Sequence, residues 1–408
     1  MMKQYGLLGK KLAHSFSPQI HQLLASYDYK LYEKEPDEVH SFLVNGEFDG
    51  LNVTIPYKKT VIPYCAQLSD TASRIGCVNT IIKRQDRTFY GDNTDYNGFL
   101  YLIKQSGISM AGKKVLILGG GASSLTVHAV LTDLRADECI TVSRSGENNY
   151  NNLYRHYDAQ VIVNTTPVGM YPNNGTAPVD LQYFDNSQAV FDLIYNPAKT
   201  KLLLDAEALG IPYTNGLPML VAQAKRACEI FLGKAVDDSC IDDITQKLSR
   251  TSKNIALIGM PGCGKSTVGK VLAEITARTF FDTDEWIVSK AGKTIPQIFS
   301  EDGEGAFRTL ETEALTKISK QSGTVIATGG GIVTQKRNQN LLEQNSVIVF
   351  LNCSVDLLPV DGRPVSQSND IVRLFHERLP LYQSWSSIEF LSSGVEQTAK
   401  KIKEHFKL

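Results

Sequence analysis

The stretch Asn254-Ile255-Ala256-Leu257-Ile258-Gly259-Met260-Pro261-Gly262-Cys263-Gly264-Lys265-Ser266 decides the fold class. Its first five residues form a short apolar run of the kind that makes a strand buried in a parallel sheet. The next eight match G-x-x-x-x-G-K-S, and Thr267-Val268-Gly269-Lys270-Val271-Leu272-Ala273 continues as a helix. A strand, a glycine loop and a helix N-terminus make an anion cradle. Backbone N–H groups curl around phosphate oxygens, and the helix end adds positive potential. In such a cradle Lys265 reaches the β- and γ-phosphates of a nucleotide and Ser266 touches Mg²⁺. Gly262, Gly264 and Thr267 complete the loop.

A second unit of the same kind lies upstream. Lys114-Val115-Leu116-Ile117-Leu118 is followed by Gly119-Gly120-Gly121-Ala122-Ser123-Ser124, then by the helix-like Leu125-Thr126-Val127-His128-Ala129-Val130-Leu131. This is a dinucleotide-binding pattern in its required context. The next strand, Glu138-Cys139-Ile140-Thr141-Val142, ends in Ser143-Arg144-Ser145. An NAD site wants an acid there for the ribose 2′-hydroxyl. An arginine between two hydroxyls suits a 2′-phosphate instead, so NADP(H) is the expected cofactor. Helical segments alternating with strands in both units predict an α/β fold with parallel sheets.

Length and composition agree. The 408 residues divide into two or three domains at about 150 residues each. Apolar residues are 42%, charged residues 21%, and the chain holds 31 Gly and 15 Pro. These values exclude collagen-like and disordered classes. With 42 basic and 43 acidic residues the net charge is −1. No global field draws the chain to nucleic acid or a membrane surface, so neither is expected as a partner. No apolar run approaches the roughly 18 residues of a membrane span, and no signal peptide is read. Cysteines 65, 77, 139, 228, 240, 263 and 353 are odd in number and contain no CxxC pair. They read as reduced thiols of a cytoplasmic protein. The polar stretch 246–252, from Gln246 to Ser252, reads as a linker or a frayed helix end. A cut there leaves about 250 and about 158 residues, both ordinary sizes.

Downstream of the phosphate loop, Phe281-Asp282-Thr283-Asp284 puts two carboxylates at i and i+2. At a strand end both would face one side, one organising Mg²⁺ and the other taking a hydroxyl proton. Gly303-Glu304-Gly305-Ala306-Phe307-Arg308-Thr309-Leu310-Glu311 places Arg308 and Glu311 three apart on a helix, where each orients the other. Thr328-Gly329-Gly330-Gly331 follows the strand Thr324–Ala327, and Gly362-Arg363-Pro364 and Glu377-Arg378-Leu379-Pro380-Leu381-Tyr382 add arginines. As an ordered set over residues 253–408, these pieces resemble shikimate kinase. The resemblance implies ATP-dependent phosphorylation of shikimate at its 3-hydroxyl. It implies Asp284 as the base on that hydroxyl, and Arg308 and Arg378 as a clamp on the carboxylate. Gly330 and Gly331 would lie against the ring, Lys265 and Arg363 on the transferring phosphate, and Ser266 and Asp282 at Mg²⁺. The segment Asn352–Gly362 departs from the family. It is short, carries two acids and no Lys or Arg, and lacks the arginine expected on adenine. Weaker or differently made nucleotide contacts are expected there.

The first hundred residues carry Leu12-Ala13-His14-Ser15-Phe16-Ser17-Pro18, Leu51-Asn52-Val53-Thr54-Ile55-Pro56-Tyr57-Lys58, Ile75-Gly76-Cys77-Val78-Asn79-Thr80 and Gly91-Asp92-Asn93-Thr94-Asp95. Plain N-capping is the alternative role for the two serines. A lysine near an acid exchanges a proton with an alcohol oxygen while hydride leaves its carbon. With Val163-Asn164-Thr165-Thr166-Pro167-Val168-Gly169-Met170, Asp192–Pro197 and Asn215–Gln223, the set resembles shikimate dehydrogenase over about residues 1–240. The resemblance implies NADPH-dependent reduction of 3-dehydroshikimate to shikimate. Ser15 and Ser17 would hold the carboxylate. Thr54, Asn79, Asp95 and Gln223 would hold ring hydroxyls near Tyr195, with Lys58 as acid/base paired to Asp95. Asp70, Leu193 and Gly216 correspond to cofactor-side positions, beside Gly119, Gly120, Gly121, Ala122, Ser123, Ser143, Arg144 and Ser145. The glycine loop departs from the family's usual G-A-G-G-A, and Leu125 stands where a basic residue is common.

The expected whole is a bifunctional shikimate-pathway enzyme of chorismate and aromatic amino acid biosynthesis, with NADP(H), ATP and Mg²⁺ as cofactors. Residues 1–100 form an α/β substrate domain. Residues 101–245 form a Rossmann-like NADP domain whose last helix returns to the substrate domain. Residues 246–252 link these to a P-loop kinase at 253–408. Two alternatives stand beside it: a first half acting on quinate with NAD, or one half acting as a non-catalytic ligand sensor. The oligomeric state is left open.

Overall fold

The structure, a computed structural model, describes residues 3–12, 15–355, 358 and 370–408. Among the described residues three sheets account for the strands, and the central strands of the second and third are short, β-branched apolar runs.

The first sheet holds β1 (Gln4–Gly9), β2 (Asp28–Glu33), β3 (Gly50–Val53), β4 (Cys65–Leu68), β5 (Thr80–Lys83) and β6 (Phe89–Asp92), in the order β2-β1-β3-β5-β6-β4. It is mixed: β1 runs parallel to β2 and β3, whereas β5 is antiparallel to β3 and β6. The second sheet is wholly parallel. Its strands are β7 (Lys114–Leu118), β8 (Glu138–Val142), β9 (Val161–Asn164), β10 (Ala189–Asp192) and β11 (Tyr213–Thr214), in the order β11-β10-β9-β7-β8. The chain leaves β7 to one side for β8 and reappears on the other for β9. That reversal opens a crevice at the strand C-termini, where ligands bind in such sheets. Val115 to Leu118 are fully buried, so β7 is sandwiched between helix layers.

The third sheet is also parallel: β12 (Asn254–Ile258), β13 (Thr279–Asp282), β14 (Thr324–Ala327), β15 (Ser346–Asn352) and β16 (Ile388–Leu391), in the order β13-β14-β12-β15-β16. All five residues of β12 are buried, which puts the phosphate loop at the middle of the sheet's C-terminal edge.

The chain forms two compact units. One comprises Met1–Val168, Ala177–Tyr195 and Asp205–Lys247; the other comprises Gly169–Thr176, Asn196–Leu204 and Leu248–Leu408. Within the first, the helix Leu217–Leu232 packs on the helix Asp95–Ser106 and on the helix Ser17–Leu24. Its far end is fixed by Tyr5 of β1, whose ring stacks on Phe231 at 4.4 Å and whose hydroxyl donates to the Phe231 carbonyl at 2.7 Å. That docking carries Gln223 into the first sheet's polar pocket.

The stretch 246–252 holds the boundary between the two units, after Lys247, and it is helical: it is the second half of a continuous helix, Ser239–Ser252. Ile241, Ile244 and Leu248 recur at helical spacing and are buried at 2%, 5% and 3% exposure, which fixes the helix through the polar run. No helix among the described residues is long and apolar enough to cross a membrane.

Candidate active sites

In the first unit, Lys58 lies in the turns that follow β3, and its carbonyl accepts the Val78 N–H at 2.8 Å, which ties it to the approach to β5. Asp95 opens the helix Asp95–Ser106, where a carboxylate is favoured by the helix N-terminus. Lys58 Nζ donates to Asp95 Oδ2 at 2.6 Å, and the two side chains are only 11% and 12% exposed. A desolvated ion pair with a movable proton on the lysine is suited to acid/base work on an oxygen set between them.

Around this pair lies a polar pocket. Asn79 Oδ1 accepts the Thr94 N–H at 2.7 Å, which fixes the amide so that its Nδ2 faces Thr94 Oγ1 at 3.0 Å and Gln223 Oε1 at 3.5 Å. Gln223 is held in turn by its Nε2 on the Leu220 carbonyl at 2.9 Å. The Ser17–Leu24 helix has Phe16 at its N-cap with no side-chain cap bond, but Ser15 Oγ accepts the Ser17 N–H of the first turn at 3.3 Å. Ser15 Oγ also donates to Ser17 Oγ at 3.2 Å. Thr54 follows β3 and donates its backbone N–H to the Leu8 carbonyl. Tyr195 sits against Phe16 with ring centroids 5.3 Å apart, and burial raises its phenol above the usual range.

The residues expected to bind the dinucleotide lie around the β7/β9 crevice. Gly119 follows β7 at φ +114°, and a side chain there would meet Thr165 Oγ1 at 2.6 Å. Only glycine lets the loop turn this closely. Gly121 caps the helix Ala122–Asp133 with open space on its outer side, so Gly120, Gly121, Ala122 and Ser123 present their N–H groups where a pyrophosphate fits. Ser143, Arg144 and Ser145 follow β8, and Arg144 and Ser145 are exposed. Leu193 and Gly216 are brought together, since any side chain on Gly216 would strike the Leu193 carbonyl. Asp70 is exposed at the start of a helix, Asp70–Ile75, capped by Ser69. These residues fit a phosphorylated dinucleotide. Arg144→Ala is expected to raise KM for NADPH about 10- to 100-fold, the worth of a charge-assisted contact, with little change for NADH. Initial rates with the two nucleotides measure this, and equal loss for both would contradict it.

In the second unit the phosphate loop turns through Gly262 at φ +87° and Gly264 at φ +88° into the helix Lys265–Thr276. Lys265 is buried, and its Nζ donates to the carbonyls of Gly259 at 2.9 Å and Met260 at 2.8 Å. Ser266 Oγ donates to Asp282 Oδ2 at 2.5 Å, while Thr267 is exposed on the same helix turn. A hydroxyl beside a carboxylate at the mouth of a phosphate loop fits Mg²⁺, which takes one or two such protein oxygens with phosphate and water.

The two acids do not share a strand end. Asp282 is the last residue of β13 and caps the helix Thr283–Ala291 by accepting from the Asp284 N–H at 2.9 Å; Asp284 is already in that helix's first turn. The cap consumes one Asp282 oxygen, which bends the chain between the two and separates their roles.

Asp284 and Glu311 both face the glycine run. A side chain on Gly329 would meet Glu311 Oε1 at 2.7 Å and Asp284 Oδ1 at 3.0 Å. Arg308 Nη1 donates to Glu311 Oε2 at 2.9 Å, with the carboxylate fully buried. Burial pushes the Glu311 carboxyl up, and the Arg308 charge opposes that. Arg378 Nη1 and the Tyr382 hydroxyl both donate to the Gly330 carbonyl, at 3.0 and 2.5 Å. The two arginines thus converge on Gly330 and Gly331, which is the arrangement a carboxylate clamp needs. Arg363 lies outside the described residues, as does most of the segment before it. Any side chain on Gly331 would land on the Arg308 guanidinium. Gly331→Ala is therefore expected to lower kcat/KM for shikimate phosphorylation about 100-fold by displacing the clamp. ADP release measures it, with the dehydrogenase rate of the same preparation as control; an unchanged value would contradict the placement.

Comparison with known proteins settles the families. The NADP(+)-dependent shikimate dehydrogenase of Clostridium perfringens is 33% identical over 268 residues, a match covering 98% of that protein and 60% of this chain. The chain belongs to the shikimate dehydrogenase family. The family's substrate binding domain matches residues 7–81, and the shikimate kinase family matches residues 261–407. Among solved structures, shikimate dehydrogenase 1 of Peptoclostridium difficile superposes with a TM-score of 0.56 at 36% identity, covering 97% of that chain and 60% of this one. A chorismate mutase/shikimate 5-dehydrogenase fusion from Clostridium acetobutylicum gives 0.57 at 34% identity, covering 97% of that chain and 61% of this one. This chain thus joins a shikimate dehydrogenase to a shikimate kinase domain.

Several residues of the dehydrogenase and kinase sites escape motif reading. Thr94 joins Asn79 to Gln223, Thr165 closes on Gly119, Thr283 Oγ1 accepts the Gly329 N–H at 3.0 Å, and Tyr382 holds Gly330. The three threonines stand inside quoted motifs, and Tyr382 ends one. Their roles lie in tertiary hydrogen bonds, which spacing does not encode.

Proposed function

We propose that this chain reduces 3-dehydroshikimate to shikimate with NADPH and then phosphorylates shikimate to shikimate 3-phosphate with MgATP. The observation that carries the reading is the coexistence of two candidate sites: the buried Lys58–Asp95 pair beside a pocket of amides and hydroxyls, and the phosphate loop with Asp284, Arg308 and Arg378 around the glycine run. Bound NADPH supplies the hydride and bound MgATP the phosphoryl group.

In the first site Ser15 and Ser17 take the substrate carboxylate, while Thr54, Asn79 and Gln223 hold ring hydroxyls. Lys58 gives its proton to the oxygen that becomes the alcohol, and Asp95 holds the lysine in place at 2.6 Å. In the second, Arg308 and Arg378 fix the carboxylate beside Gly330 and Gly331, and Asp284 takes the proton of the 3-hydroxyl. With nucleotide bound, Lys265 would turn from its own loop carbonyls to phosphate oxygens, and Ser266 and Asp282 would hold Mg²⁺. Residues 1–100 supply the substrate lobe, 101–245 the NADP lobe and 253–408 the kinase. All seven cysteines are free thiols, in keeping with a cytoplasmic enzyme.

The reading is tested by offering shikimate and quinate side by side, with NADP⁺ and separately with MgATP. Shikimate is expected to be turned over in both assays. Quinate oxidation with NAD⁺ in preference would overturn the first assignment, and absence of ADP formation the second.

A further inference from the structure

Two residues that no motif singles out, Asn148 and His156, lie behind the loop that carries Arg144. Ser143 begins this loop directly after β8 and stands against the dinucleotide loop, since a side chain on Gly120 would meet Ser143 Cβ at 3.1 Å. The chain turns at Gly146, where a side chain would strike Ser143 Oγ at 2.6 Å. It then comes back so that the Ser143 N–H donates to the Asn148 carbonyl at 3.1 Å. Arg144 and Ser145 are exposed within this closed turn. Asn149 and Asn152 shape it from inside. Asn149 Nδ2 donates to the Gly146 carbonyl at 3.2 Å, Asn152 Nδ2 to the Glu147 carbonyl at 2.8 Å, and the Asn149 N–H to Asn152 Oδ1 at 2.8 Å.

These bonds close the loop on itself; they do not fix where it sits. Asn148 Oδ1 lies 2.9 Å from His156 Nε2. His156 ends the 3₁₀ turn Leu153–His156, is only 8% exposed, and accepts the Ala159 N–H on its carbonyl at 3.1 Å. The imidazole is thus a fixed point for the loop. The bond needs one donor and one acceptor, and Nε2 of a neutral imidazole serves as either, so the bond holds whichever way the Asn148 amide is turned. Burial, and then the Lys114 charge, keep the imidazole pKa below its ordinary value, so it is neutral near pH 7. Its other nitrogen, Nδ1, is buried with no hydrogen-bond partner among the described residues. For packing alone such a residue is costly, because an unmet buried polar atom destabilises. What the imidazole contributes is its bond to Asn148, the residue whose carbonyl closes the loop on Ser143.

We propose that His156 is a positioning residue for the cofactor specificity of the dehydrogenase: acting through Asn148, it holds the loop so that Ser143, Arg144 and Ser145 meet the 2′-phosphate of NADP(H). The proposal rests on the assignment of that trio to the 2′-phosphate. A loop already held in place loses less freedom when the nucleotide binds, and the gain goes to the nucleotide that carries the phosphate.

The test compares NADPH with NADH in the full chain, by initial rates of 3-dehydroshikimate reduction. His156→Phe keeps a ring in place and removes both nitrogens. It is expected to raise KM for NADPH about fivefold, the worth of one hydrogen bond, with kcat and the KM for NADH within about twofold of wild type. Asn148→Ala removes the same bond from a partly exposed side chain and keeps the backbone carbonyl that Ser143 uses, so it reads the bond even where the Phe variant folds poorly. It is expected to match His156→Phe, and the double variant to exceed either single one by less than about twofold. Equal losses with NADPH and NADH would make His156 a residue of the fold, and an unchanged KM for NADPH in Asn148→Ala would remove the bond from the site; either overturns the proposal. Arg144→Ala separates the two levels. If it leaves KM for NADPH unchanged, the trio does not hold the phosphate and the proposal falls with that reading. If Arg144→Ala raises KM and neither His156→Phe nor Asn148→Ala does, the proposal alone falls.

Discussion

Lys58→Met is expected to lower kcat for 3-dehydroshikimate reduction by about 10²- to 10⁴-fold, the range for loss of a positioned general acid. Methionine keeps most of the stem volume and removes the proton. The effect should be on kcat more than on KM, because the proposed contacts of Asn79 and Gln223 to the ring hydroxyls and of the two serines to the carboxylate would remain. Structure sets a second consequence. The Lys58–Asp95 pair is nearly buried at 2.6 Å, so removing one partner leaves an uncompensated carboxylate. That costs about 3–5 kcal/mol where no water enters, and the variant should melt earlier. Asp95→Asn removes the charge from the other side and should also depress kcat, since the lysine then lacks the group that aims it. Wild-type reduction by Lys58→Met would remove the lysine from the chemistry. Phosphorylation by the same variant should be unaffected.

Asp284→Asn carries the second large expected effect, a fall of about 10²- to 10⁴-fold in kcat for shikimate phosphorylation. Asparagine keeps the size and the helix position and loses the ability to take a proton. Asp284 and Glu311 both approach Gly329, but the two carboxylates are not interchangeable. Glu311 is committed through one oxygen to Arg308 at 2.9 Å, whereas Asp284 stands at a helix N-terminus whose cap is already made by Asp282. The KM for shikimate should change little, because the proposed clamp of Arg308 and Arg378 on the carboxylate would be left in place. A large KM change with kcat retained would make Asp284 a binding group instead of the base.

What could be read from the sequence, and what could not, follows from the range of the interactions. Short glycine loops fix their own geometry: Lys114–Leu118 with Gly119–Gly121 and Asn254–Ile258 with Gly259–Ser266 stand as strand, loop and helix. Arg308 and Glu311 meet because three residues on a helix are neighbours. The polarity of the run 246–252 hides its helix, whose buried stripe is completed by Ile241 and Ile244 upstream. Asp282 and Asp284 were assigned a common strand end because the pattern shows alternation but not the cap that starts a helix between them. The packing of Tyr5 on Phe231 spans 226 residues, and the contact of Asn79 with Gln223 spans 144. Neither has a local signature.

The central claim is that one chain performs two consecutive reactions at two separate sites. The direct measurement is a single assay containing the purified chain, 3-dehydroshikimate, NADPH and MgATP, following NADPH loss and shikimate 3-phosphate together. NADPH should be consumed and shikimate 3-phosphate should form from it through shikimate, with shikimate accumulating when ATP is left out. NADPH consumption that yields shikimate but no shikimate 3-phosphate in the presence of MgATP would contradict the account.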